Sequence, residues 1–93
     1  RYWEQFRTGL PSVLQMQSAL EAYGYKIELT GEDDEQSRNV LRAFQFHFLP
    51  WRVTGEINVE TAAVLYAMVE KYYPKELDAL LPVAAAADTP PVE

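Results

Sequence analysis

The amino-acid sequence predicts an all-α domain: one opening helix, then two copies of a unit made of an extended lead-in, a Thr-Gly turn and a capped helix. Three observations carry that prediction. Apolar residues recur at helical spacing in three stretches, and each stretch is bracketed by a capping residue and a Gly or Pro stop. The second and third stretches also superimpose when the chain is slid by 24 residues along itself. The expected architecture is a compact three-helix domain with an internal 24-residue repeat, and Pro74 to Leu81 is compatible with a short fourth helix that has proline in its first turn.

Each element has a local reason. Residues 1–11 carry Tyr2, Trp3 and Phe6 on a short charged segment, read as a connector from an upstream domain that needs something to pack against. The domain proper is expected over residues 12–81. Ser12-Val13-Leu14-Gln15 forms a capping box, and Val13, Met16, Leu20 and Tyr23 follow at helical spacing until Gly24 ends the helix. Lys26-Ile27-Glu28-Leu29 alternates polar and apolar, so a short extended piece is predicted. The second helix begins in the acidic run Glu32 to Glu35, where carboxylates meet the positive end of the helix dipole. Its predicted buried stripe is Ser37, Val40, Leu41, Phe44 and Phe48, closed by Pro50. The third helix runs from an Asn58 cap through Thr61, Val64, Leu65, Met68, Val69 and Tyr72 to Pro74. Residues 82–93, rich in alanine and proline, read as a flexible tail.

The repeat aligns Thr30 to Phe44 with Thr54 to Met68, and Thr, Gly, Glu, Val, Leu and Ala recur at six of those fifteen positions. The substitutions keep physical roles. Asp34 and Asn58 are both N-cap residues, Ser37 and Thr61 both fall at N3, and Phe44 and Met68 are both core-sized. In the lead-ins, Ile27 and Leu29 match Trp51 and Val53. Two units are too few for a solenoid, so they are expected to fold against each other and the first helix.

Composition narrows the chemistry. With 93 residues there is room for one core, and the hydrophobic fraction of 48% exceeds that of a disordered chain. The net charge of −6 and eight scattered basic residues exclude nucleic acid as an expected partner. No apolar run reaches the ~18 residues of a membrane span. Without cysteine and with one histidine, neither a thiol nucleophile nor a multi-histidine metal site is available, so no catalytic residue, metal ligand or cofactor is assigned to this segment. The Glu32–Glu35 cluster lacks the alternate-residue ligand spacing of a calcium loop and reads as helix capping. His47 falls on the flank of the second helix's stripe, where it reads as a boundary residue beside aromatics. A chain opening at Arg1 with no signal peptide is expected to be a segment of a longer protein. With that stripe turned inward, Phe46 points away from the core and Arg38, Arg42 and Gln45 flank one side.

These residues resemble a known family. Val13-x-x-x-Gln17 with Leu20, Gly24-Tyr25, then Gly31-x-x-Asp34-x-x-Ser37-x-x-Val40-Leu41-x-x-Phe44-Gln45 and Val53-Thr54-Gly55-x-x-Asn58-x-x-Thr61-x-x-Val64-Leu65 are similar to the peptidoglycan-binding-like domain, a three-helix module of bacterial wall hydrolases. They also look like one variant of it, the C-terminal domain of zinc-dependent N-acetylmuramoyl-L-alanine amidases related to AmpD and AmiD, where a string like Phe44 to Pro50 is expected as well. Thr30 and Thr54 stand where many members carry Asp, and Asp34 and Asn58 stand in place of a second Gly.

The resemblance implies a noncatalytic module that targets an attached amidase to murein in the bacterial cell envelope, with the periplasm as the expected compartment. It implies zinc in a separate catalytic domain and peptidoglycan or muropeptides as partners. Sugar rings present C–H faces to aromatics and stem peptides carry carboxylates that an arginine fork holds, which makes Arg38, Arg42, Phe46, Trp51, Arg52 and Tyr66 the candidate ligand-binding residues. Two alternatives stand beside it. Trp51 aligns with Ile27 and serves equally as a core residue, and the whole module fits a structural role, packing on the catalytic domain or mediating an oligomer.

Overall fold

The computed structural model describes residues 2–80, and among them are five helices: α1 (Tyr2–Thr8), α2 (Val13–Tyr23), α3 (Glu35–Phe48), α4 (Val59–Tyr72) and α5 (Pro74–Leu80). No strand occurs among the described residues. The expected tail, 82–93, lies outside them.

Helix boundaries follow the predicted caps. The Ser12 hydroxyl accepts from the Gln15 N–H at 3.1 Å while Gln15 Oε1 accepts from the Ser12 N–H at 3.0 Å, which closes the capping box. Gly24, at φ 123°, ends α2 with the N–H of Tyr25 on the Leu20 carbonyl and its own on Glu21, the paired arrangement of a Schellman stop. Asp34 and Asn58 each accept from the N3 backbone N–H, Ser37 at 3.0 Å and Thr61 at 2.8 Å. Pro74 opens α5, where its missing N–H costs nothing.

Helix α4 is the centre of the molecule. It packs against α1, α2 and α5, and α2 also touches α3 and α5. Neighbours on three sides require apolar side chains around most of the helix, and Ala62, Leu65, Tyr66 and Val69 are all fully buried. Met16, Ala19 and Leu20 of α2 and Leu41 and Phe44 of α3 complete the core. Helix α3 has fewer neighbours and exposes a whole face.

Three expectations require correction. The segment 1–11 is more than a connector: Tyr2–Thr8 is helical and buries Tyr2 and Phe6 in the core. Consequently the buried face of α4 is turned toward Ala62 and Tyr66, and Tyr72, predicted inside, is exposed. Finally, Gln45 is buried in α3 rather than set on its flank.

In the stretch 26–29, Glu28 satisfies its backbone without a sheet. The Gln36 side-chain amide accepts from the Glu28 N–H at 3.1 Å and donates to the Glu28 carbonyl at 2.8 Å, doing for one residue what a neighbouring strand would do. Two aromatic groups stabilise opposite parts of the fold. Phe6 meets Tyr66 edge-on at 5.0 Å with Tyr2 beside both, while Tyr23 packs edge-on against Phe48, Tyr72 and Tyr73.

Candidate ligand-binding surface

The surface is built around two turns, each held by one buried glutamine. In the first, Gln17 Oε1 accepts from the Gly31 N–H at 2.8 Å, and its amide nitrogen donates to Thr30 Oγ1 at 3.0 Å and to Ser37 Oγ. In the second, Gln45 Oε1 accepts from the Thr54 and Gly55 N–H groups at 2.9 and 2.7 Å, and its nitrogen donates to Thr54 Oγ1 at 3.1 Å and Thr61 Oγ1 at 3.0 Å. Each threonine hydroxyl also accepts from the N–H two residues on, Glu32 at 3.2 Å and Glu56 at 3.0 Å. Gly31 and Gly55 sit at φ 76° and 75°, the left-handed region open to glycine at little cost. The Thr-Gly pair and the N3 hydroxyl of the repeat are thus the ends of one hydrogen-bonded network, made twice.

The glutamines themselves escaped the repeat because they obey a different spacing. Gln17 precedes its threonine by thirteen residues and Gln45 by nine, so a 24-residue slide does not align them. A signal was present all the same: each lies four residues after an apolar stripe position, Val13 or Leu41, and therefore only ~40° from it around the helix.

Six residues were expected at the surface, and the structure sorts them. Tyr66 is 0% exposed beneath α1 and is unavailable to any ligand. Among the described residues its hydroxyl has no hydrogen-bond partner, and burial together with the nearby Tyr2 holds the phenol protonated far above its ordinary range. Phe46, 73% exposed near the end of α3, points outward as predicted. Trp51 is 69% exposed, unlike its repeat partner Ile27 at 7%. The reason is a tight turn. The N–H of Arg52 bonds the carbonyl of Leu49 at 2.9 Å with Pro50 between them, so that Leu49 is buried and Trp51 is projected outward. The indole N–H then reaches Glu60 Oε2 at 3.3 Å, which ties the ring to the start of α4.

The arginines divide as well. Arg38 donates to the Asp33 carbonyl at 2.7 Å and pairs with its carboxylate at 3.4 Å, so its charge is already matched. Arg42 donates to Asn39 Oδ1 at 3.0 Å and has no carboxylate partner among the described residues. Its side chain lies across the second turn: a methyl group added to Gly55 would stand 2.9 Å from Arg42 Nε. Arg52 is exposed on the tight turn beside Trp51. A small apolar cleft of about 20 Å³ opens beside Gly55, between Leu41 and Ile57 on one side and Val13 and Met16 of α2 on the other, with Asp33 at its edge.

Among the described residues no three His, Cys, Asp or Glu side chains stand together, and His47 is exposed with its ring edge-on to Phe48 at 4.6 Å. A zinc ion would find no ligand set here. No helix among the described residues is long and apolar enough to cross a membrane.

Phe46 and Trp51 are thus exposed, with Arg42 one turn before Phe46 on α3 and Arg52 next to Trp51, around two turns of the same build. Comparison with known proteins gives the class of the chain: residues 10–65 match the putative peptidoglycan binding domain, and the chain belongs to that family. Among curated proteins it is similar to the N-acetylmuramoyl-L-alanine amidase AmiD of Escherichia coli (strain K12), 43% identical over 53 residues, which are 57% of this chain. That match covers 19% of the amidase, so the chain corresponds to about a fifth of its length. No solved structure gives a significant match.

Proposed function

We propose that this chain is a noncatalytic wall-binding module that holds an attached zinc N-acetylmuramoyl-L-alanine amidase on murein in the bacterial envelope, with the periplasm as its compartment. The single observation that supports the binding reading is the exposure of Phe46, one turn after Arg42 on α3, and of Trp51, adjacent to Arg52 in the chain, on a member of the peptidoglycan-binding family. The aromatic faces suit the C–H faces of glycan rings, and the guanidinium groups suit stem-peptide carboxylates. Tethering raises the concentration of an attached enzyme on its insoluble substrate without entering the chemical step. The similarity to AmiD supports the choice of enzyme.

Co-sedimentation tests this reading. The chain is expected in the pellet with purified sacculi and without amidase activity of its own, and replacing Phe46 and Trp51 together by alanine should move most of it to the supernatant. Recovery of the unaltered chain wholly in the supernatant, at low and at moderate salt, overturns the binding role. A second reading is favoured by one feature, the groove between α1 and α4 lined by Trp3, Ala63, Val64 and Ala67, which suits packing on a catalytic domain or on another copy. Its signature is a stable complex in light scattering with no spectral response to muropeptides.

A further inference from the structure

The repeat supplies an internal control for Arg42. Relative to the clamping glutamine of each unit, Leu14 and Arg42 occupy the same place, three residues before Gln17 and Gln45. Both lie over the turn glycine of their unit, with Leu14 Cβ 3.8 Å from a methyl built on Gly31 and Arg42 Nε 2.9 Å from one built on Gly55. A leucine suffices to cover the first turn. Covering the second turn therefore does not explain why a guanidinium is there.

The surroundings of that guanidinium specify what it would hold. Among the described residues one of its five N–H donors has a partner, Asn39 Oδ1, so a bidentate fork remains open on this exposed side chain. Gly55, directly beneath it, also lines the cleft between α2 and α3, whose volume of about 20 Å³ is roughly that of one water molecule or one methyl group. Arg38 on the same helix is matched to Asp33, which leaves Arg42 as the arginine of the two with no carboxylate partner among the described residues. One unpaired guanidinium fork beside an apolar slot of methyl size fits a carboxylate with a small alkyl neighbour. A phosphate dianion asks for a second cation, and no Lys or Arg is among the described residues that line this cleft.

We infer that Arg42 and the Gly55 cleft form a binding site for the free carboxylate of a short peptide ending in a small aliphatic residue. The inference rests on the wall-binding reading for its biological source, the peptide stems of murein, and on the geometry alone for its chemistry. Arg42 would grip the carboxylate through two parallel N–H···O bonds, with the terminal methyl group in the cleft between Leu41 and Ile57. The aromatic pair Phe46 and Trp51 would then address the glycan, leaving the two halves of a muropeptide to two parts of one surface.

The test uses the 93-residue chain and two probes, N-acetyl-alanyl-alanine with a free C-terminal carboxylate and the same peptide as its C-terminal amide, followed by NMR at the Gly55 amide and Arg42 Nε. The expected result is at least tenfold tighter binding of the acid than of the amide. Arg42→Leu, which copies the natural residue of the first turn and should therefore fold, is expected to abolish that preference, and Arg42→Lys to leave part of it. Equal responses to acid and amide, no response to either, or an unchanged preference in Arg42→Leu would each overturn the site. Sacculus co-sedimentation of the same sample separates this from the reading beneath it. Pelleting without acid preference rejects the carboxylate site and keeps wall binding, whereas acid preference without pelleting keeps the site and rejects wall binding. A response to inorganic phosphate equal to that of the acid would show an unselective anion site and overturn the proposal.

Discussion

The two turn units share a buried scaffold and differ in nearly everything they show to solvent. Both hold a Thr-Gly turn on a glutamine, close it with an N3 hydroxyl and fix the glycine at almost the same φ. Yet the first unit reaches its turn through thirteen residues and buries Ile27 on the way, while the second takes nine and turns sharply at Pro50. The shorter path leaves no residue to fold back, so Trp51 faces outward. Above the glycines the first unit places Leu14 and the second Arg42. The two units thus share an interior and differ outside, because buried hydrogen bonds tolerate little change and exposed side chains tolerate much.

The strongest way to break the comparison is to remove the glutamines. Gln45→Ala leaves two backbone N–H groups and two hydroxyls without their partner, and unsatisfied buried groups cost ~1–3 kcal/mol each, so a loss of about 3–5 kcal/mol is expected in urea denaturation. Gln17→Ala should cost less, since Gln17 Oε1 receives one backbone N–H rather than two and its turn is more exposed. Equal losses would show that the two networks contribute alike.

The connections differ next. Ile27→Ala is expected to cost about 2–4 kcal/mol as a buried side chain, whereas Trp51→Ala should change stability by less than ~0.5 kcal/mol while weakening sacculus binding. A large loss of stability from Trp51→Ala would make that ring structural. Outside both units, Tyr66→Phe removes a buried hydroxyl that has no partner among the described residues, and thermal melts should show a gain of up to about 1 kcal/mol.

The smallest difference is in the caps. Hydrogen bonds from the Ser37 hydroxyl and N–H favour the Asp34 carboxylate and hold its pKa below the ordinary value. A lowered folded-state pKa contributes stability that is complete above the unfolded value and lost as pH falls through the folded one. Asn58, in the same position of the second unit, does not titrate. Asp34→Asn should therefore flatten part of the decline in stability as pH falls below about 4, as read from urea midpoints, and an unchanged slope would remove Asp34 as a source of it.

Much of this was legible before any coordinates. Ser12, Asp34 and Asn58 announced their helices because caps are local chemistry, and Phe46 was placed outward by counting around α3 from Leu41 and Phe44. Gln45 lies near Leu41 in the helical projection, but the projection does not show the Thr54 and Gly55 N–H groups that make burial of its amide favourable. Tyr66 was misassigned for another reason. Its burial depends on α1, more than fifty residues away in sequence, and no local pattern records which helix will cover which face.

The sequence by itself determined the helices, their caps and the repeated turn, since periodicity and capping act within a few residues of one another. The tertiary structure alone decided that α1 covers Tyr66, that one glutamine clamps each turn, and that Arg42 lies across Gly55. Those are contacts between segments brought together by burying a common core, and the energy that selects them belongs to the packed whole rather than to any stretch of chain.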